Sequence, residues 1–92
     1  MKFEWDQRKE ASNTVKHGVG FAEAVSVFGD PLSRTISDHG HSIEEDRFII
    51  IGLLSKRNLL GVVHTVREDR VRLISARPAT KNEKRDYQES IH

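Results

Sequence analysis

The chain of 92 residues contains no cysteine. That excludes disulfide bonds and thiolate metal ligands as supports for the fold, and it fits a reducing compartment. Long apolar runs are missing too. The longest, Phe48-Ile49-Ile50-Ile51-Gly52-Leu53-Leu54, is far too short to cross a bilayer as a helix. The opening Met1-Lys2-Phe3-Glu4-Trp5-Asp6 turns charged at once, unlike a secretory leader. There is no repeat, no low-complexity tract and no internal linker. These absences predict a cytoplasmic protein built as a single domain over residues 1–92. A domain this small buries only about 60–65% of the surface its unfolded chain exposes, so its stability margin is thin.

A strong net charge is also lacking: the formal value is +1. The distribution is more informative. Lys56, Arg57, Arg67, Arg70, Arg72 and Arg77 fall in one segment whose only acids are Glu68 and Asp69, while acids outnumber bases elsewhere. Either this segment is a solvated sheet edge, or its guanidinium groups await an anion.

Local signals give an element order β-α-α-β-β-β-β-α. Phe3-Glu4-Trp5 reads as a short first strand. Asp6 is positioned to cap a helix over Gln7–Lys16, which carries apolar Ala11 and Val15 four apart and stops at Lys16-His17-Gly18. Phe21, Ala24, Val25 and Phe28 form a helical stripe that Gly29-Asp30-Pro31 ends. Leu32–Asp38 is a weak strand, Asp46–Leu54 a buried one, and Leu59–Arg67 and Arg70–Ala76 continue a meander. Thr80-Lys81-Asn82-Glu83 is a capping box for a C-terminal helix whose apolar residues are Tyr87 and Ile91. The expected fold is therefore α+β. It has an antiparallel sheet of four to five strands, two N-terminal helices and one C-terminal helix, with one sheet face open or covered only by that last helix.

A two-residue loop at Glu68-Asp69 sets a register: Arg67 opposite Arg70, Thr65 opposite Arg72, His64 opposite Leu73, Val63 opposite Ile74, and Val62 opposite Ser75. Strand side chains alternate between faces. One face then gathers Arg67, Arg70, Arg72 and Thr65. The other holds His64, Ser75 and Arg77 among valines and leucines. Like charges directly opposite one another destabilise a sheet unless an anion binds between them, and planar guanidinium groups suit phosphate. A bulge would exchange the faces.

Several short motifs follow one another along nearly the whole chain. They are Phe3-Glu4-Trp5-Asp6, Asn13-x-x-Lys16-His17-Gly18-Val19, Phe21-x-x-Ala24, Val27-Phe28-x-Asp30-Pro31 and His41-Ser42-x-x-Glu45-x-Arg47. They continue with His64-Thr65-x-Arg67, Arg72-x-Ile74-Ser75-Ala76-Arg77-x-Ala79-Thr80 and Glu83. Taken together the series resembles the BrnT family of bacterial toxins. The resemblance implies a RelE-like fold and a ribonuclease that arrests translation as the toxin of a type II toxin–antitoxin pair. It also implies a DNA-binding BrnA-like antitoxin as partner, with DNA contacted only through that antitoxin. Two positions depart from the family pattern: Glu68 stands where many relatives have glycine, and Pro78 where a basic residue is common.

Metal-independent RNA cleavage uses the substrate's own 2′-hydroxyl as nucleophile. It needs a base, an acid and donors for a doubly charged transition state. Arg67 and Arg72 are the candidates for charge stabilisation, and Thr65 for orienting a phosphate oxygen. His64 is the candidate acid–base, with a core histidine as the alternative. Ser75 and Arg77, from the family motif, are candidates for binding the RNA backbone, with local capping of the last helix as the alternative. No cofactor is expected. His39, His41, Asp38 and Glu45 lack the spacing of a metal site. Trp5 and Phe3 read as anchors beneath the first helix, with base stacking as the alternative. A second function class remains open: a non-catalytic module that binds a protein through a sheet edge or open face.

Overall fold

The computed structural model describes residues 1–38, 46–55 and 58–89. Its elements are β1 (Lys2–Glu4), α1 (Gln7–His17), α2 (Phe21–Ala24) with a 3₁₀ turn (Val25–Gly29), β2 (Arg34–Ser37), β3 (Phe48–Ser55), β4 (Asn58–Arg67), β5 (Arg70–Pro78) and α3 (Lys81–Glu89). His39, His41, Glu45 and Ile91, weighed above, lie outside the described residues. The five strands form one sheet in the order β1-β5-β4-β3-β2. The expected element order is observed, with one difference in the sheet: β1 runs parallel to β5, so the sheet is mixed. Parallel neighbours need a long crossover connection, and here everything from α1 to β4 supplies it.

The end signals act as their chemistry requires. The Asp6 carboxylate accepts hydrogen bonds from the amides of Arg8 (2.7 Å) and Lys9 (3.3 Å). Gly18 closes α1 at φ 73°, a left-handed conformation that a side chain would oppose. Thr80 and Glu83 exchange reciprocal hydrogen bonds at 2.9 and 3.2 Å, so the capping box is formed.

The two N-terminal helical segments dock differently. Val15 (89%) and Ala11 are exposed, in keeping with the weak apolar pattern of α1. It docks through buried Asn13, whose Nδ2 donates to the carbonyls of Val19 (3.0 Å) and Ala76 (2.8 Å) while its Oδ1 accepts from Ala76 N–H (3.1 Å). In the second helical segment the fully buried residues are Phe21, Ala24 and Val27. A 3₁₀ turn has three residues per turn, which brings Val27 into line and leaves Val25 and Phe28 at the margin.

Side chains from both sheet faces are buried. One face packs Ile50, Leu60, Val62, Val71, Leu73 and Ala76 against Val19, Phe21, Ala24 and Val27. Phe3 meets Phe28 at 5.0 Å between ring centroids, and Trp5 meets Phe21 edge-on at 6.1 Å. Both aromatics of the first strand region are thus committed to packing. On the second face, Ile49, Ile51, Leu53, Leu59 and Val63 cluster with Ala79 and Tyr87. The Tyr87 hydroxyl donates to Asp30 Oδ2 at 2.7 Å, tying α3 to the loop before β2. This second cluster covers one end of the second face. The other end carries the arginines.

Candidate active site

The β4–β5 hairpin forms its two-residue turn at Glu68-Asp69. The pairs Arg67–Arg70, Val66–Val71, Thr65–Arg72 and His64–Leu73 fall in the expected register. Glu68 adopts φ 54°, an uncommon conformation for a residue with a side chain. β1 then lies alongside β5, with Lys2 beside Arg70 and Glu4 beside Arg72. Arg67, Arg70, Arg72, Thr65 and Glu4 therefore share one face by simple alternation. Together with Glu68 they line an open groove of about 640 Å³. Thr65 is buried at its floor, while the three arginines are exposed.

The arginines are not without a carboxylate, and here the structure corrects the sequence reading. Glu4 Oε2 accepts from Arg72 Nη1 at 2.9 Å, and Glu4 Oε1 accepts from Arg70 Nη1 at 3.3 Å. The Arg72 hydrogen bond holds the Glu4 carboxyl below its ordinary range; desolvation opposes it, and the weaker Arg70 hydrogen bond adds to it. Arg67 makes no ion pair among the described residues. Three guanidinium groups thus face Glu4 and Glu68, and the groove stays net positive. Each bond to Glu4 uses one guanidinium nitrogen.

Beyond His64 the expected register fails. The ladder shifts between Val63 and His64: Val63 pairs with Ser75, Val62 with Ala76, and Gly61 with Arg77. The extra residue is Ile74, a β-bulge. One added residue reverses every later side chain, so Ser75 and Arg77 sit on the same face as Arg72 rather than on the helix-packed face. They line a separate, smaller groove of about 310 Å³ with Asp38, Arg47, Ile49, Val63 and Ile74. Arg77 is committed there. Its Nη1 and Nη2 donate to the two oxygens of Glu83 at 2.7 and 3.0 Å, and Nη1 also reaches Pro78 O at 3.3 Å. Gly61 makes room for this pair, since a Cβ there would lie 2.9 Å from Arg77 Nη1 and 3.3 Å from Glu83 Oε1.

His64 lies on the opposite face from Arg67 and Arg72. It is 4% exposed, its Nδ1 is 3.0 Å from Val62 O, and its ring meets Phe28 edge-on at 4.9 Å and Phe48 at 6.0 Å. Burial pulls its pKa below the ordinary 6.5, with the Val62 contact opposing. Side chains from opposite faces of one strand cannot reach the same phosphate, and among the described residues no histidine lines the arginine groove. Strand geometry puts this acid–base candidate on the face opposite the arginines, in the core position that was its alternative. Glu4 is the residue that reading missed. Its own strand gives no sign of it, because the parallel pairing that brings Glu4 to Arg72 joins residues far apart in the chain.

Comparison with known proteins gives a family. Residues 5–83 match the model for the ribonuclease toxin, BrnT, of type II toxin–antitoxin systems. The chain belongs to the BrnT family. It is a ribonuclease toxin whose substrate is RNA and whose partner is an antitoxin. Among solved structures, the chain is similar to the Brucella abortus ribonuclease toxin BrnT, determined at 1.1 Å. The TM-score is 0.69 at 26% identity, covering 88% of this chain and 99% of that one. A comparison with curated proteins gives no match. The α+β architecture of three helices and a five-stranded sheet is shared with that solved toxin. None of the helices among the described residues is long and apolar enough to cross a membrane.

Proposed function

We propose that the groove between β1, β5 and β4 is where this toxin cleaves RNA, and that it does so without a metal ion. The observation that carries this reading is the gathering of Arg67, Arg70 and Arg72 on one face around a single contacting carboxylate. Arg67 and Arg72 stabilise the charge of the phosphorane-like transition state, and Thr65, at the groove floor, orients a phosphate oxygen. Arginine supplies at this site the fixed positive charge that a metal supplies in other nucleases. Ser75 and Arg77 flank the groove on the same face. Arg77 serves RNA binding only indirectly, by holding the start of α3 beside it. In this reading the chain acts as one RelE-like toxin domain in the cytoplasm, where the absence of cysteine is at home. A BrnA-like DNA-binding antitoxin neutralises it by covering the arginine face. Family membership supports that partner.

Purified, antitoxin-free protein incubated with RNA and excess chelator tests the proposal. The expected result is cleavage that survives chelation and is lost in Arg72→Ala with the fold intact by circular dichroism. Cleavage that chelator abolishes, or that Arg72→Ala retains in full, overturns it.

A further inference from the structure

A groove of arginines explains how a transition state is stabilised but not what removes the 2′-hydroxyl proton. Guanidinium groups are protonated at all working pH values and cannot act as bases. His64 points the other way. Thr65 is neutral. Among the described residues lining the groove, only Glu4 and Glu68 are carboxylates. Glu68 sits in the hairpin turn at φ 54° and makes no hydrogen bond or ion pair with the three arginines. Glu4 touches two, at 2.9 and 3.3 Å.

We infer that Glu4 is the general base of this ribonuclease, taking the 2′-hydroxyl proton while Arg70 and Arg72 hold the adjacent phosphate. The inference rests on the assignment of the arginine groove as the cleavage site. The geometry supports it in two ways. Glu4 engages one nitrogen of each guanidinium, so a phosphate held by their remaining donors lies within reach of the Glu4 oxygens. Parallel pairing of β1 with β5 also places the carboxylate on a strand rather than a loop, which fixes its position against Arg72. The same arginines keep Glu4 ionised, at some cost in basicity, while their remaining donors face the phosphate.

Glu4 accepts the 2′-hydroxyl proton as O2′ forms its bond to phosphorus. The P–O5′ bond breaks, and the departing O5′ takes a proton from water. The hydroxide so formed recovers the proton from Glu4. The products are a 2′,3′-cyclic phosphate and a 5′-hydroxyl end.

The test compares wild type, Glu4→Gln and Arg72→Ala in single-turnover cleavage at saturating RNA. Affinity is measured in parallel with 2′-O-methyl RNA, which keeps the phosphates but has no nucleophile. Glu4→Gln is expected to lower the cleavage rate by about 100-fold while binding 2′-O-methyl RNA as tightly as wild type or more so, because a competing carboxylate is gone. A Glu4→Gln rate within about threefold of wild type, well inside that expectation, overturns the inference. So does a rate loss matched by an equal loss of affinity, which is what a merely structural Glu4 produces. If Arg72→Ala is inactive while Glu4→Gln is active, the groove stands and the base assignment falls. If wild type leaves RNA intact, both fall. Should Glu4→Gln fail to fold, the wild-type pH profile decides. A rate flat from about pH 8 to about pH 5, declining only in the carboxylate range, supports Glu4. A rate climbing tenfold per pH unit through neutrality overturns it.

Discussion

Two arginine–carboxylate sites occupy the same sheet face, and they differ in every respect that separates structure from chemistry. At one, Arg77 and Glu83 meet one to one, bidentate at 2.7 and 3.0 Å, largely shielded over Gly61. Glu83 also accepts from Thr80 N–H, so every oxygen is occupied. At the other, Glu4 is divided between Arg70 and Arg72, Arg67 is left over, and all three guanidinium groups are open to water. The first pair is saturated and closes α3 onto the sheet. The second is undersaturated and exposed, which leaves donors for an incoming anion. Residue type does not distinguish the two sites; stoichiometry and exposure do.

That contrast is broken most sharply at Arg72. Arg72→Ala is expected to lower RNA cleavage by about 10²–10³-fold, as removal of a donor to a developing charge does elsewhere. The unfolding midpoint should hardly move, since an exposed pair contributes little to stability. Next in size is Arg77→Ala. It strands Glu83, a carboxylate that the Arg77 bond and then Thr80 hold below its ordinary range against the opposing pull of burial. Partial solvent access discounts the 3–5 kcal/mol loss of a fully buried pair to about 2–3 kcal/mol, roughly 10–20 °C in melting temperature for a domain this size. Thermal denaturation with both variants checks the pair of expectations.

The buried histidine makes stability depend on pH. A histidine whose folded pKa is depressed binds fewer protons folded than unfolded. Stability is therefore fully present above the ordinary 6.5 and declines as pH falls below it, toward the folded value. The melting temperature should drop between pH 7 and pH 5, and His64→Leu should flatten that drop while leaving Arg72-dependent cleavage in place. A smaller effect follows at Arg67. Arg67→Ala should reduce the slope of log affinity for RNA against log salt by about 0.7, one single-strand phosphate contact's worth. The smallest is in the turn. Glu68→Gly should stabilise the protein by about 0.5–1 kcal/mol by relieving a positive φ, measured by denaturant titration.

Much of this arrangement is legible in the sequence because it is local. Asp6, Gly18 and the Thr80–Glu83 box act within a few residues of themselves, and the Glu68-Asp69 turn fixes the register out to Thr65 and Arg72 without outside help. The rest depends on partners distant in the chain. The bulge at Ile74 answers to no local turn signal, yet it moves Ser75 and Arg77 across the sheet. Asn13 looks like an ordinary helix-surface polar residue until its amide is seen clasping the backbone of Ala76. Glu4 joins the site only through parallel pairing with β5, and no spacing rule announces a contact between residues 4 and 72. A sequence can show that arginines converge, but the counter-charge that defines their chemistry came from the other end of the chain.

The most direct measurement is a crossed one: chelator-resistant RNA cleavage and the unfolding midpoint, both recorded for Arg72→Ala and for Arg77→Ala. The account predicts that Arg72→Ala loses cleavage and keeps its midpoint. It predicts that Arg77→Ala loses midpoint and, below its melting temperature, keeps most of its cleavage. Full activity in Arg72→Ala, or a midpoint loss as large as that of Arg77→Ala, would contradict it.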